Sequence, residues 1–84
     1  MTLELLIDVL GWLGAAALLL AYALVSTRRL AGDAPAYQGL NMLGGVLLII
    51  NSAYHGAYPS VGVNIIWIVI AVLTLARRTA RARP

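Results

Sequence analysis

Three long apolar runs leave this chain few ways to fold. They are "VLGWLGAAALLLAYALV" from Val9 to Val25, "LNMLGGVLLIINSAY" from Leu40 to Tyr54, and "VGVNIIWIVIAVLTLA" from Val61 to Ala76, with only short polar segments between them. A single small globule cannot enclose that much hydrocarbon, because short chains leave much of their surface in contact with solvent. With 62% hydrophobic and 11% charged residues among 84, the solvent must be lipid. Each run holds roughly 15 to 17 residues, below the ~20 that span a bilayer, so Leu5, Ile7, Tyr37 and Tyr58 must extend the helices toward the headgroups. Helix is the backbone to expect, since three strands cannot close a barrel and an open strand in lipid leaves its amides without partners. The rival reading, a soluble bundle of buried helices, is opposed by how little polar face any run offers.

The expected fold is therefore all-α: an integral membrane three-helix bundle forming a single domain over residues 1–84, with helices at about 4–26, 36–55 and 60–78. The segment "STRRLAGDAPAYQ" separates the first two runs and "RRTARARP" follows the third. Three crossings put both on one side of the membrane, which the positive-inside rule makes cytoplasmic. All positive side chains agree: Arg28, Arg29, Arg77, Arg78, Arg81 and Arg83. The N-terminus, with Glu4 and Asp8, and the turn around His55 and Pro59 then lie outside. Trp12 and Tyr58 suit that outer interface, Tyr22 and Tyr37 the inner one. The first helix has no basic stretch before it and no small-residue cleavage site after it, so it is expected to stay in the mature protein. Beside a membrane the arginines need only anionic lipid headgroups as partners, and no nucleic acid. In "GDAP", Asp33 and Pro35 are placed to begin the second helix.

Small residues fall where helices can meet. Gly11, Gly14, Ala15, Leu18, Tyr22 and Val25 share one stripe of the first helix, and Asn41, Gly44, Gly45, Leu48 and Ser52 share one of the second. Lipid exerts no hydrophobic pressure between helices, so close approach at glycine and alanine is the usual route to tight packing. Polar side chains inside the runs point to function. An amide in hydrocarbon costs a few kcal/mol unless paired, so Asn41, Asn51 and Asn64 must each face protein, water or another amide. Two uses remain open for them: bonds between helices, or contact with a solute.

Catalysis finds no footing. Glu4 and Asp8 are at the opposite end from Asp33, no serine has a matched histidine and acid, and no glycine pattern cradles phosphate. Cysteine is absent, which excludes disulfides and thiolate metal sites. His55 has neither a second histidine nor a carboxylate near it in the sequence, so a solvated or hydrogen-bonded imidazole is expected rather than a metal ligand. No enzyme activity, metal or cofactor is expected.

The segment "INSAYHGAYPSVGVNIIWIVIAVLTLARR" resembles the second half of bacterial SemiSWEET sugar transporters of the PQ-loop superfamily. Pro59 and Asn64 keep that family's offset, and Tyr54 with Gly56 takes the place of its Tyr-Gly pair, His55 being added between them. The resemblance implies a homodimer with an external N-terminus and a central solute cavity between protomers, to which the positions of Asn51 and Asn64 correspond. The first helix departs from the pattern, with Ala21 to Leu24 where the family has a Pro-Gln hinge. "AYALVSTRRL", "YQGLNMLGG" and "NSAYHGAYPSVGVNIIW" together are more closely similar to small bacterial membrane proteins of unknown function, often labelled permeases or transporters.

The combined expectation is a multi-pass protein of the bacterial inner membrane. It would be a SemiSWEET-like transporter or channel for a small neutral polar solute, working as a homodimer or higher homo-oligomer. Asn51 and Asn64 would contact the solute, and Tyr54, Trp67 and Asn41 would shape its path. The alternative from another class is a non-transporting membrane scaffold or accessory subunit whose asparagines bond a partner.

Overall fold

In the computed structural model, which describes residues 2–82, the chain forms α1 (Leu3–Ser26), α2 (Pro35–Tyr54) and α3 (Tyr58–Ala82). Local chemistry accounts for most of their ends. The Thr2 hydroxyl caps α1, accepting from the Leu5 N–H at 3.1 Å, and Glu4 places negative charge in the first turn, where the helix dipole favours it. At the other end Arg28 takes up a left-handed conformation (φ 60°), and the N–H groups of Arg29 and Leu30 both fold back onto the Leu24 carbonyl. Pro35 opens α2 in the first turn, where its missing N–H costs nothing. Gly56, at φ +70°, ends that helix in a conformation other side chains rarely adopt, so only residues 55–57 separate α2 from α3.

Asp33 does not cap α2: the cap position is Ala34, with no side-chain bond. The third helix also differs from the expected span of about 60–78. It begins at Tyr58, because Pro59 fits a first turn as well as it fits a loop, and it runs to Ala82. The apolar pattern stops at Ala76, but alanine and arginine are strong helix formers and carry the backbone onward without it.

The second helix is the hub. Both α1 and α3 pack on α2, and neither packs on the other. Gly44 and Gly45 show how one helix serves two neighbours. Successive helical residues point about 100° apart. Gly44 faces α1, where a Cβ on it would lie 2.9 Å from the Gly14 carbonyl and 2.8 Å from Leu18; Gly45 faces α3, where a Cβ would lie 3.0 Å from Ile68. The two flanking helices therefore sit against faces of α2 that are about 100° apart around its axis. Tyr22, expected on the α1 contact stripe, is instead 69% exposed; Ala21, fully buried, takes its place one residue earlier.

Burial is inverted relative to a water-soluble bundle. The buried apolar residues are Ile7, Ala21 and Ala71, whereas Gln38, Asn41, Ser52 and Asn64 are buried polar ones. The bulky apolar side chains point outward, among them Trp12, Leu19, Ile66 and Leu73. On α2 the stripe Leu43, Val46, Ile50 and Tyr54 is exposed on the side away from both neighbours. Helices α1 and α3 are long and apolar enough to cross a membrane, at mean hydropathy 2.0 and 2.1, with 11% of each apolar stretch buried. A core helix of a soluble protein would be mostly buried. The second helix does not reach that apolarity, because Gln38, Asn41, Asn51 and Ser52 dilute its leucines and isoleucines.

Glycine at position 44 is thus a packing requirement rather than a flexibility device. Gly44→Ala drives a methyl group against the Gly14 backbone and should lower stability in detergent by about 1 to 3 kcal/mol, as overpacking of tight contacts does. Gly62→Ala, on α3 with nothing within 4 Å of its new methyl, should leave the unfolding midpoint unchanged or raised. Equal losses from both would argue against the close α1–α2 approach.

Candidate functional site

Each amide inside the helices has a partner within the chain. The Asn51 Nδ2 donates across to the Ile7 carbonyl of α1 at 3.0 Å. Gly11 makes room for it, since a Cβ there would come within 2.5 Å of the same nitrogen. On the other side of α2, the hydroxyls of Ser52 and Ser60 share a hydrogen bond of 2.8 Å. Asn64 turns back within α3, its Nδ2 donating to the Ser60 carbonyl at 2.9 Å. Asn41 donates to the Gln38 Oε1 at 3.5 Å, and Gln38 donates in turn to the Gly32 carbonyl at 2.7 Å. Among the described residues, no buried side-chain nitrogen or oxygen lacks a partner.

These bonds do not gather the predicted solute contacts into one place. Asn51 faces α1, while Asn64 is buried on α3 at the level of Gly45, its carbonyl 3.8 Å from where a Cβ of Gly45 would stand. Asn41 lies ten residues before Asn51, about 15 Å away along the α2 axis. Trp67 is 45% exposed on α3, and Tyr54 is 43% exposed on the outward stripe of α2.

A different set of residues converges. An open groove of about 310 Å³ runs between α1 and α2, walled by Asp8, Gly11, Trp12 and Ala15 on one side and by Leu48, Asn51 and His55 on the other. Of the residues singled out from the sequence as solute contacts, Asn51 alone lines it. His55 does have a carboxylate beside it: its Nε2 stands 3.4 Å from the Asp8 Oδ1, both side chains about half exposed. That pairing corrects the expectation that no carboxylate stands near the imidazole. The two residues are far apart in the chain, and only the antiparallel register of α1 and α2, marked by Ile7 with Asn51 and Gly14 with Gly44, makes them neighbours. The ring of Tyr54 stands edge-on to the imidazole, with centroids 5.3 Å apart. A sequence signal for the α1 wall exists in the spacing of Asp8, Gly11, Trp12 and Ala15, which places them on one helical stripe.

The opposite end of the molecule carries the arginines. Asp33 accepts from Arg81 Nη2 at 2.9 Å and lies 3.9 Å from Arg78 Nε, tying the loop between α1 and α2 to the end of α3. These pairs are substantially exposed and worth little individually. Among the described residues, no carboxylate lies within ion-pair distance of Arg28, Arg29 or Arg77. Arg83, expected to meet lipid headgroups with the others, falls outside the described residues.

The model of a protein family of unknown function matches residues 7–83, a span that takes in the groove, both helix interfaces and the arginine end. The chain belongs to that family. Membership thus covers Ile7, Asp8, Asn51 and His55 along with the hub glycines. No curated protein and no solved structure matches the chain.

Two substitutions separate the interhelical bond from the exposed ion pair. Asn51→Ala should lower stability in detergent by about 1 kcal/mol, typical of interhelical bonds in membranes. A double-mutant cycle with Asp8→Asn and His55→Gln should give a coupling of about 0.2 to 1 kcal/mol, as for other exposed pairs. A larger coupling for Asp8 and His55 than for Asn51 and its neighbours would reverse this ranking.

Proposed function

We propose that this chain is a multi-pass integral membrane protein, two copies of which enclose a path for a small polar solute, with the groove between α1 and α2 as the solute contact. In this reading all three helices cross the bacterial inner membrane in a SemiSWEET-like arrangement. The Asp8 and His55 end is outside and the arginines sit at the cytoplasmic headgroups. The observation that carries it is the groove itself: a concave surface where a carboxylate, an imidazole, an amide and an indole meet on an otherwise hydrocarbon exterior. Polar groups at the flank of a membrane helix are expensive unless they face protein or water. Three short helices cannot enclose that flank alone, so a second copy is needed to close it.

Relative to the expectation from sequence, the contact set shifts. Asn51 remains in it, Asp8, Trp12 and His55 join it, and Asn41 and Asn64 drop out, each donating within its own helix. Trp67 and Tyr54 leave the proposed contact set. A second reading, a non-transporting scaffold or accessory subunit, is favoured by one specific observation: Asn41, Asn51 and Asn64 each donate to a partner within the same chain.

The absence of native cysteine makes the two readings easy to separate. In membranes, Ala15→Cys in the groove should react with a water-soluble thiol reagent at least tenfold faster than Leu13→Cys. Leu13 is at nearly the same depth on another face of α1. Equal, slow labelling at both positions would mean the groove is filled by hydrocarbon or protein, and the scaffold reading would stand.

A further inference from the structure

Resting on the reading of the groove as a solute site, we infer that its ligand is a compact organic ammonium group, primary or quaternary, rather than a neutral polyol. The groove offers a formal negative charge and an amide oxygen. The Asn51 amide uses one N–H on the Ile7 carbonyl, and no hydrogen bond to its oxygen is formed within the described residues. Asp8 contributes a carboxylate whose side chain is 55% exposed. No permanently charged cation is paired with it: among the described residues the arginines are at the other end of the helices, and the sequence has no lysine. Among the described residues the ion-pair partner of Asp8 is His55, which compensates the charge only while protonated. Glu4, one turn earlier on α1, adds negative charge to the same end.

Trp12 supplies the second element. It is 78% exposed and forms part of the groove wall, one turn from Asp8 on the same face of α1. An indole face attracts a cation held within about 6 Å of its ring, most of all where water is partly excluded. Carboxylate, amide oxygen and indole face together suit an ammonium group, which offers positive charge, donors or polarised methyl groups, and no acceptor. A neutral polyol can hydrogen-bond to these groups but gains nothing from the net charge of the Asp8 carboxylate or from the face of the indole, whereas an ammonium gains from both. The ammonium could belong to a free solute or to a lipid headgroup; the chemistry recognised is the same.

The chain has only two tryptophans, so Trp67→Phe, a change on α3 away from the groove, leaves Trp12 as the sole indole reporter. The full-length protein in maltoside detergent would be titrated with choline and with ethanolamine. The control is 3,3-dimethylbutan-1-ol, the neutral isostere of choline. Saturable change in Trp12 emission is expected with the ammonium probes and at least tenfold weaker binding for the isostere. Asp8→Asn should weaken choline binding at least tenfold, whereas Asp8→Glu, which keeps the charge, should stay within a few-fold of the parent. Repeating the titration in nanodiscs distinguishes the sources. Competition in phosphatidylethanolamine discs that disappears in phosphatidylglycerol discs identifies a lipid headgroup, and equal binding in both identifies a free amine.

Isostere binding as tight as choline, or an Asp8→Asn variant that binds as well as its parent, would overturn the ammonium assignment while leaving the groove a solute site. No saturable response to any probe, with equilibrium dialysis of labelled choline also blank, would overturn both.

Discussion

Hydrocarbon cannot satisfy an amide, and that constraint organises this molecule around its second helix. Gln38, Asn41, Asn51 and Ser52 make α2 the least lipid-compatible of the three helices by composition. It is also the helix on which both others pack. The two facts are one. A helix with polar groups on its faces is tolerated in lipid only where neighbours cover them, and α1 and α3, both long and apolar enough to cross a membrane, are the two helices that flank it. Glycines at 11, 14, 44 and 45 bring the backbones close enough for the short side chains to bridge. Packing and polar pairing are therefore the same device.

How much of this was legible in the sequence follows from what periodicity and composition encode. Three apolar runs punctuated by Gly, Pro and Arg locate three helices, because those signals are local. The turn at residues 55–57 is equally local, fixed by Gly56 and Pro59. What the pattern does not encode is which neighbour a given face meets. Gly44 and Gly45 read as one small-residue stripe, yet they serve different helices. Asn51 and Asn64 read as two contacts to one solute, yet one bonds across to α1 and the other back onto its own helix. Asp8 and His55 illustrate the same limit from the other side: neither has a partner in its own segment, and only helix register brings them together.

The ends of the molecule divide the charge. Glu4 and Asp8 gather with His55 at one end, and Asp33 is embraced by Arg78 and Arg81 at the other. Such exposed pairs contribute little to stability, but they staple separate elements: α1 to α2 at the first end, the α1–α2 loop to α3 at the second. The groove lies at the acidic end, beside the tight approach of Gly11 and Asn51. Its polar lining is therefore a by-product of the same register that brings Asn51 to the Ile7 carbonyl, which is why a polar groove can arise here without a dedicated loop or lid.

The central claim is that α2, despite its amides, traverses the bilayer between α1 and α3. Side-specific labelling of single cysteines at Ala31 and Ala57, placed in the two connections flanking α2, tests it most directly. In sealed vesicles of one orientation the account requires a membrane-impermeant reagent to reach one position and not the other. Labelling of both from the same face would mean α2 does not cross, and the hub would be lost.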